Sequence, residues 1–250
     1  MTVRTFTFTL DHSAFAGRTG RAVRVAVIDS GIQPMHPHVG GALAGVRITD
    51  TGEDRDTGDR IGHGTAVAAA IREKAPGVEL VPIRVFDHTL DTTADILARA
   101  IRAATARGAR LINVSMGTTN AAHAELLRDA VEEAVRGGVV VIAPRAADGL
   151  PSWPGALETV AGAIADAACA RDAMRIVEHD DATVTFHCSG LPRPIPDVPP
   201  ARNLHGASFA AANVTGFLAR LLEGEPTLRS MHDVVRHLCV PASPREGTAR

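Results

Sequence analysis

The chain has 250 residues, of which 45% are hydrophobic and only 3% aromatic, and its formal net charge is −2. This length suits one domain with a single large core. Arginines are interleaved with aspartates and glutamates, so no basic stretch indicates nucleic acid or an anionic membrane as a partner. No run is apolar for long enough to span a bilayer. We therefore expect one domain over residues 1–250, with its core at about 20–240.

The cysteines and the first residues favour a reducing compartment. Cys169, Cys188 and Cys239 are odd in number, scattered and without zinc-ligand spacing, so we expect free thiols. Residues 1–10 alternate threonine with apolar residues, which is typical of a strand and unlike the long apolar core of a signal peptide. The expectation is a cytoplasmic protein without a signal peptide and without a pro-domain before the core.

Strands alternate with helices along most of the chain. Strand patterns lie at 1–10, 25–29, 46–48, 78–86, 111–115, 138–143 and 159–164, and helix patterns lie at 63–73, 92–107 and 122–136. A hairpin is expected at 174–177 and 183–188, then a helix beginning near Ser208, a helix at 228–238 and a frayed polar end at 241–250. This alternation predicts an α/β fold in which helices cover both faces of a mostly parallel central sheet, a single three-layer α/β/α domain.

Two polar loops contain potential metal ligands. His36 and His38 form a His-x-His pair, but no further Cys, His or acidic residue at ligand spacing completes a site. Loop 51–60 has three aspartates, the last of them Asp59, but lacks the glycine and the closing glutamate of a calcium loop. We therefore expect no metal site and no cofactor, and we interpret 51–60 as a solvated surface loop.

Three apolar segments each carry one reactive side chain at an end. A β-branched run ends at Asp29, which places this acid at the carboxyl end of a buried parallel strand, where open α/β sheets have their sites. His63 precedes a helix of small residues, and Ser208 begins a helix that is apolar on all sides. Such a set can activate a nucleophile, because the histidine takes the serine proton while the acid orients the imidazole. Ser208 alone could equally be a helix cap.

Four motifs, in order along the chain, resemble those of the subtilisin-like serine proteases, the subtilases. They are Asp29-Ser30-Gly31, His63-Gly64-Thr65, Asn113-Val114-Ser115-Met116-Gly117 and Gly206-Ala207-Ser208-Phe209-Ala210. The order Asp, His, Ser is the one known for subtilisin. The resemblance extends over about residues 20–240. It implies a subtilisin-like fold in which Asp29 orients His63, and His63 acts as general base and then general acid for the nucleophile Ser208.

The resemblance also implies how a peptide is held. In the family, the strand end that matches the Asn113 motif pairs with the backbone of the substrate. The residues expected on the two walls of the cleft are Ser115, Met116 and Gly117 on one side and Pro144, Arg145 and Ala146 on the other. The expected partner is a peptide or polypeptide substrate, whose acyl group passes from a peptide bond to the serine and then to water.

The region that would bind the oxyanion departs from the family pattern. Subtilases have an Asn after the strand that matches 138–143; here that position falls on Ala147 or, with a shift of one residue, on Asp148. The residue before the serine, usually a threonine in the family, is Ala207. Three arrangements stay open: a protonated Asp148, a cationic donor such as Arg145, or the serine backbone N–H and water alone. We favour the third, since it needs no unusual pKa and no strained side chain.

A second departure concerns calcium. In many subtilases a calcium-binding loop interrupts the helix after the active-site histidine, whereas here the chain runs straight from Ala70 to Pro76. Many relatives also have an aspartate where this chain has His38. We therefore expect no calcium at that site.

Two functions remain open at this point. The first is a serine endopeptidase of narrow specificity that processes or tailors one peptide, with a weakened oxyanion hole. The second is a subtilase-derived protein that binds a peptide or partner and cleaves little. A nucleotide-binding Rossmann domain is disfavoured, because no G-x-G-x-x-G follows the strand that ends at Asp29.

Overall fold

A long sheet with helices on both faces dominates the computed structural model, which describes residues 3–240. The strands of this part of the chain are β1 Arg4–Thr9, β2 Arg24–Asp29, β3 Val46–Thr49, β4 Gly52–Asp54, β5 Glu79–Arg84, β6 Leu111–Val114, β7 Val140–Pro144, β8 Ala146–Ala147, β9 Leu150–Pro151, β10 Ala161–Ala165, β11 Ala173–Glu178 and β12 Val184–Cys188. Its α-helices are α1 His63–Lys74, α2 Ala94–Ala106, α3 Ala124–Arg136, α4 Ala207–Gly224 and α5 Met231–Cys239.

The main sheet has ten strands in the order β1-β11-β12-β10-β7-β6-β2-β5-β3-β4. All neighbours from β12 to β3 pair in parallel, and the antiparallel pairs lie at the two edges. β8 and β9 form a small separate hairpin. The predicted mostly parallel sheet is therefore confirmed, and so is the hairpin of β11 and β12.

Helices cover both faces of the sheet, which confirms the three-layer α/β/α architecture. Along β2, Val25 and Val27 belong to the core that includes residues of α1, α4 and α5, whereas Ala26 and Ile28 belong to the core that includes residues of α2 and α3. A strand between two helical layers has no solvent face. This explains why its sequence is an unbroken apolar run rather than an alternating one.

Helix α4 passes through one of these layers with apolar residues on every side. Its residues from Phe209 to Ala219 are all buried, as predicted for a helix without a polar face. Gly216 allows α1 to cross it closely: a Cβ here would overlap the Lys74 side chain and lie 3.2 Å from the Ile71 carbonyl. The crossing fixes α1, which begins at His63, against α4, which contains Ser208.

Two predicted elements differ from the structure. Segment 51–60 is not simply a solvated loop, because Gly52–Asp54 adds an antiparallel edge strand and Asp59 is only 6% exposed. The predicted helix at 228–238 begins later, at Met231, where the Ser230 side chain accepts a hydrogen bond from the Asp233 N–H and so caps it. The polar end predicted at 241–250 lies outside the described residues.

Candidate active site

Asp29 ends β2 in the middle of the parallel strands. Its side chain is fully buried, and its Oδ1 accepts a hydrogen bond of 2.6 Å from the backbone N–H of Ser30. β2 lies between β5 and β6, so the acid stands at the carboxyl edge of the sheet, as predicted.

His63 is the first residue of α1 and faces Asp29 directly. Its Nδ1 lies 2.9 Å from each carboxylate oxygen of Asp29, and its side chain is 15% exposed. The next residue must be glycine for this approach: a Cβ on Gly64 would overlap the Gly31 carbonyl and lie 3.1 Å from the Asp29 carboxylate. The close contact of α1 with the end of β2 therefore places the imidazole on the acid.

Ser208 is the second residue of α4 and completes the row. Its Oγ lies 3.2 Å from His63 Nε2. The residue before the helix is Gly206, and no side chain caps this helix end, so Ser208 is not a cap. The backbone N–H of Ser208 donates no hydrogen bond to any group within residues 3–240. This N–H is therefore available to a ligand beside the Ser208 hydroxyl. The structure thus brings Asp29, His63 and Ser208 together from three distant parts of the chain.

The surroundings of His63 favour its charged form. Burial alone lowers the pKa of His63, but the hydrogen bond and charge of Asp29, helped by the charge of Asp59, outweigh burial and raise it above 6.5. An imidazole of this kind accepts a proton readily and is held in one orientation by its Nδ1 contact.

Asp59 is a site residue that the sequence interpretation missed. Its Oδ1 accepts hydrogen bonds from the Ser30 hydroxyl at 2.8 Å and from the Ile61 and Gly62 backbone N–H groups at 2.9 and 2.8 Å.

The second oxygen of Asp59 holds the start of α1. Oδ2 accepts bonds from the Thr65 N–H at 2.8 Å and from the Thr65 hydroxyl. Ser30 in turn accepts a bond of 2.9 Å from the Gly64 N–H. Asp59 therefore ties the end of β2 to the first turn of α1, on both sides of His63. Two sequence signals could have indicated it: the acid stands four residues before the histidine, and a serine follows Asp29 directly.

A cleft of about 480 Å³ opens beside His63 and Ser208. It is lined by Phe86, Leu90, Ser115, Met116, Gly117, Pro144, Ala146, Ala147, Asp148, Ser152, Ala207 and the two reactive residues themselves. The structure therefore brings five of the six predicted wall residues to one cleft, all but Arg145. The cleft also contains Phe86, Leu90 and Ser152, which the sequence interpretation missed. Ser152 packs closely on Gly117, where a Cβ would overlap its hydroxyl.

Arg145 is a correction to the predicted wall. Its side chain lines a different cavity, with Glu158 and Asp181, and its Cβ and Cδ pack beside Gly162. Pro144 and Ala146 line the cleft, whereas the side chain of Arg145 between them packs beside Gly162.

Asn113, the first residue of the fourth motif, is committed to the fold. Its Nδ2 donates to the Ser115 hydroxyl at 3.0 Å, and its Oδ1 accepts from the Thr215 hydroxyl at 2.9 Å. It therefore links β6 to α4 and orients Ser115, and it is fully buried and does not line the cleft.

Among the residues that line the cleft, none supplies an amide or guanidinium side chain. Ala147 and Asp148 both face it, at the turn of the β8–β9 hairpin. Asp148 and Gly149 have φ angles of 50° and 78°, the left-handed pair of a tight two-residue turn. The Ser208 N–H, at the start of α4, is a backbone donor beside this cleft, and the arrangement that relies on it stays a prediction.

The described residues, 3–240, contain no cluster of three or more His, Cys, Asp or Glu that could hold a metal ion. In the same range, no helix is both long and apolar enough to cross a membrane.

Comparison with known sequences gives the family of this chain. The Peptidase S8 family model, which describes the subtilase family, matches residues 20–148, just over half of the chain. The chain belongs to the subtilase family. The matched segment includes Asp29 and His63, and Ser208 lies beyond it.

Curated relatives of this subtilase are similar over part of their length. The minor extracellular protease Epr of Bacillus subtilis is 31% identical over 144 residues, which are 54% of this chain and 21% of that protein. The nisin leader peptide-processing serine protease NisP of Lactococcus lactis is 33% identical over 116 residues, 39% of this chain and 17% of that protein. Subtilisin DY of Bacillus licheniformis is 32% identical over 136 residues, 51% of this chain and 48% of that protein. The aligned segments thus span less than half of these relatives.

Solved structures confirm the subtilisin-like fold. Sphericase superposes with a TM-score of 0.67 at 21% identity, covering 85% of this chain and 80% of sphericase. The nisin leader peptidase NisP from Lactococcus lactis has a TM-score of 0.67 at 19% identity, covering 88% of this chain and 83% of that structure.

Proposed function

We propose that this subtilase is a serine endopeptidase that hydrolyses peptide bonds with Asp29, His63 and Ser208. The observation that carries the proposal is the continuous series of contacts between the three side chains. Asp29 Oδ1 lies 2.9 Å from His63 Nδ1, and His63 Nε2 lies 3.2 Å from Ser208 Oγ. A protein that only binds peptides has no chemical need for this row. Family membership supports the same reaction class.

In the proposed reaction, Ser208 Oγ attacks the carbonyl carbon while its proton passes to His63 Nε2. Asp29 keeps Nδ1 protonated and stabilises the imidazolium. The carbon–nitrogen bond then breaks, and the leaving amine takes the proton from His63. Water repeats the sequence on the acyl group, with His63 again accepting a proton, and releases the acid and the free Ser208.

We favour a slow enzyme of narrow specificity, because the oxyanion hole is weakened. Removing one oxyanion donor from subtilisin costs on the order of a hundred- to a thousandfold in turnover. Such an enzyme depends on a substrate that it holds well, which suits the processing or tailoring of one peptide. The similarity to NisP, a leader peptide-processing protease, points the same way.

A subtilase-derived peptide-binding protein is the second candidate. The observation that favours it is the absence of an amide side chain among the residues lining the cleft, where Ala147 and Asp148 stand. In that case the cleft holds its peptide without turnover.

Labelling with a fluorophosphonate probe tests the proposal, because the probe reacts only with an activated serine. The wild-type chain and Ser152→Ala, which removes another serine of the same cleft, are expected to label, whereas Ser208→Ala is not. The melting temperature of Ser208→Ala should stay within a few degrees of the wild type. A folded wild-type chain that does not label would favour the binding protein, and labelling of Ser208→Ala would refute the assignment of the nucleophile.

We further propose that the protein works in the cytoplasm. Cys169, Cys188 and Cys239 are free and buried, which suits a reducing compartment. Fractionation of the source cells with an antibody to the chain would test the location, and recovery from the medium would contradict it.

A further inference from the structure

A second groove, of about 600 Å³, is separate from the cleft and is lined by neighbours of His63 in the chain. We call it the cationic groove. It runs between the loop that carries His36 and His38, the first turns of α1, and the loop 192–204 that leads into Ser208. Gly62 and Thr65, which flank His63 in the chain, line it, whereas His63 itself lines the cleft.

The position of the cationic groove suits it to the half of the substrate that leaves as the amine. If the acyl half stays on Ser208 in the cleft, the amine half must leave past His63, which gives it its proton. The cationic groove adjoins His63 through Gly62 and Thr65 and is not part of the cleft. This step rests on the proposed function, since it takes the direction of the peptide from the reaction.

The charged side chains that line the cationic groove are all basic. Arg193 and Arg202 line it, and no aspartate or glutamate does. Within residues 3–240 neither arginine forms an ion pair. A guanidinium without a carboxylate partner at the edge of a concave surface attracts an anionic ligand.

The surroundings of His38 in the cationic groove disfavour its charged form. Burial, together with the charges of Arg193 and His36, lowers the pKa of His38 below 6.5. The Glu73 carboxylate acts on His38 in the opposite direction, but its oxygen already bonds Arg171 and Lys74. The permanent positive charges in the lining of the cationic groove are those of Arg193 and Arg202.

Several other residues that line the cationic groove are apolar. Ile195 and Leu204, from the same loop, are 46% and 50% exposed, and Ala66 and Ala69 of α1 form the facing side. Apolar side chains exposed in a concave site are typical of ligand-binding surfaces. The loop is held rather than loose: the Asn203 amide donates to the Arg193 carbonyl at 3.2 Å, and the Asn213 amide donates to the Ser189 carbonyl at 2.8 Å, just before the loop.

From these observations we infer that the cationic groove binds the leaving half of the substrate and selects an acidic side chain within the first few residues after the cleaved bond. The acidic side chain pairs with Arg193 and Arg202, and apolar neighbours pack on Ile195 and Leu204. The substrate class is thus a peptide whose segment beyond the cleavage point combines acidic with apolar residues.

The first test measures binding without turnover, on the full chain with Ser208→Ala. Two fluorescein-labelled octapeptides of alanine and leucine differ at one position, glutamate in one and glutamine in the other, and fluorescence anisotropy gives Kd for each. We expect the glutamate peptide to bind about three- to tenfold more tightly. The preference should vanish when Arg193→Gln and Arg202→Gln are added, and should persist with Arg128→Gln and Arg136→Gln, which remove two exposed charges on α3. It should also weaken as salt is raised.

Equal binding of the two peptides, including no measurable binding of either, would overturn the inference. Persistence of the preference in the Arg193→Gln, Arg202→Gln variant would do the same. Unfolding curves of that variant establish that the chain is still folded.

A second test separates this inference from the proposed function. The wild-type chain is incubated with a pool of peptides from a digested proteome, and the cleavage sites are mapped by mass spectrometry. Enrichment of acidic residues after the cleaved bond, lost in the double arginine variant, supports both proposals. Cleavage without enrichment overturns the acidic preference and leaves the peptidase standing. Tight binding of the glutamate peptide without any cleavage overturns the peptidase and leaves the acidic preference standing.

Discussion

Replacing Asp59 by asparagine tests whether this residue positions His63 for the proposed reaction. The carboxylate accepts bonds from the Ser30 hydroxyl and from the Ile61 and Gly62 N–H groups on one oxygen, and from the Thr65 N–H and hydroxyl on the other. In Asp59→Asn the amide oxygen can replace the first oxygen. Its NH₂ group then faces the Thr65 N–H, donor against donor.

The cost follows from that geometry. Thr65 is buried, and a buried N–H left without an acceptor costs about 1–3 kcal/mol of unfolding free energy. For a chain of this size, 1 kcal/mol shifts the melting temperature by roughly 2–4 °C. We therefore expect Asp59→Asn to melt roughly 2–12 °C lower than the wild type.

The same substitution is expected to change the pH dependence. His63 must be neutral to accept the serine proton, so activity falls as pH falls through its pKa, which the surroundings raise above 6.5. The charge of Asp59 contributes to that rise. Removing it lowers the pKa of His63, so the acid limb of the profile should move to lower pH.

The assay is the initial rate of fluorophosphonate labelling between about pH 5 and 9, with thermal unfolding on the same samples. Asp129→Asn, an exposed acid on α3, is the matched control and should change neither quantity. If Asp59→Asn melts like the wild type and its acid limb does not move, the reasoning is refuted. A lower melting temperature without a shift in the acid limb of the pH profile would mean that the role of Asp59 is purely structural.

Three further predictions concern the cleft and calcium. Ala147→Asn should raise turnover on an accepted peptide by up to about ten- to a thousandfold if the new amide reaches the oxyanion. Asp148→Ala and Arg145→Ala should change turnover little. A kinetic assay in which Ala147→Asn has no effect and Arg145→Ala is strongly defective would contradict this prediction. Gly64→Ala should lower the unfolding free energy by roughly 1–3 kcal/mol and abolish labelling, because its Cβ would overlap the Gly31 carbonyl; normal labelling would refute this. EDTA should leave the melting temperature unchanged, because α1 runs from His63 to Lys74 without a calcium loop, and a large drop restored by calcium would show otherwise.

The elements that carry the three reactive residues could be predicted from the sequence because each depends on a local pattern. A strand covered by helices on both faces needs apolar residues at every position, and Val25 to Ile28 have them. A helix without a polar face must be buried, and α4 has none. Because parallel strands end at one edge of the sheet, an acid at such an end predicts a site there before any distance is known.

The other features of the site could not be predicted from the sequence. They depend on contacts between residues far apart in the chain, in segments that have no regular helical or strand repeat. Asp59 resembles a solvated loop residue in the sequence, and only the packing of α1 against the end of β2 brings Ser30 and Thr65 to its carboxylate. Arg145 stands among residues that face the cleft, yet its side chain packs beside Gly162 on the other side. Helices and strands repeat every 3.6 and 2 residues, so their faces follow from sequence. Turns and connections have no such repeat, and the direction of their side chains is decided by the neighbours that the tertiary structure supplies.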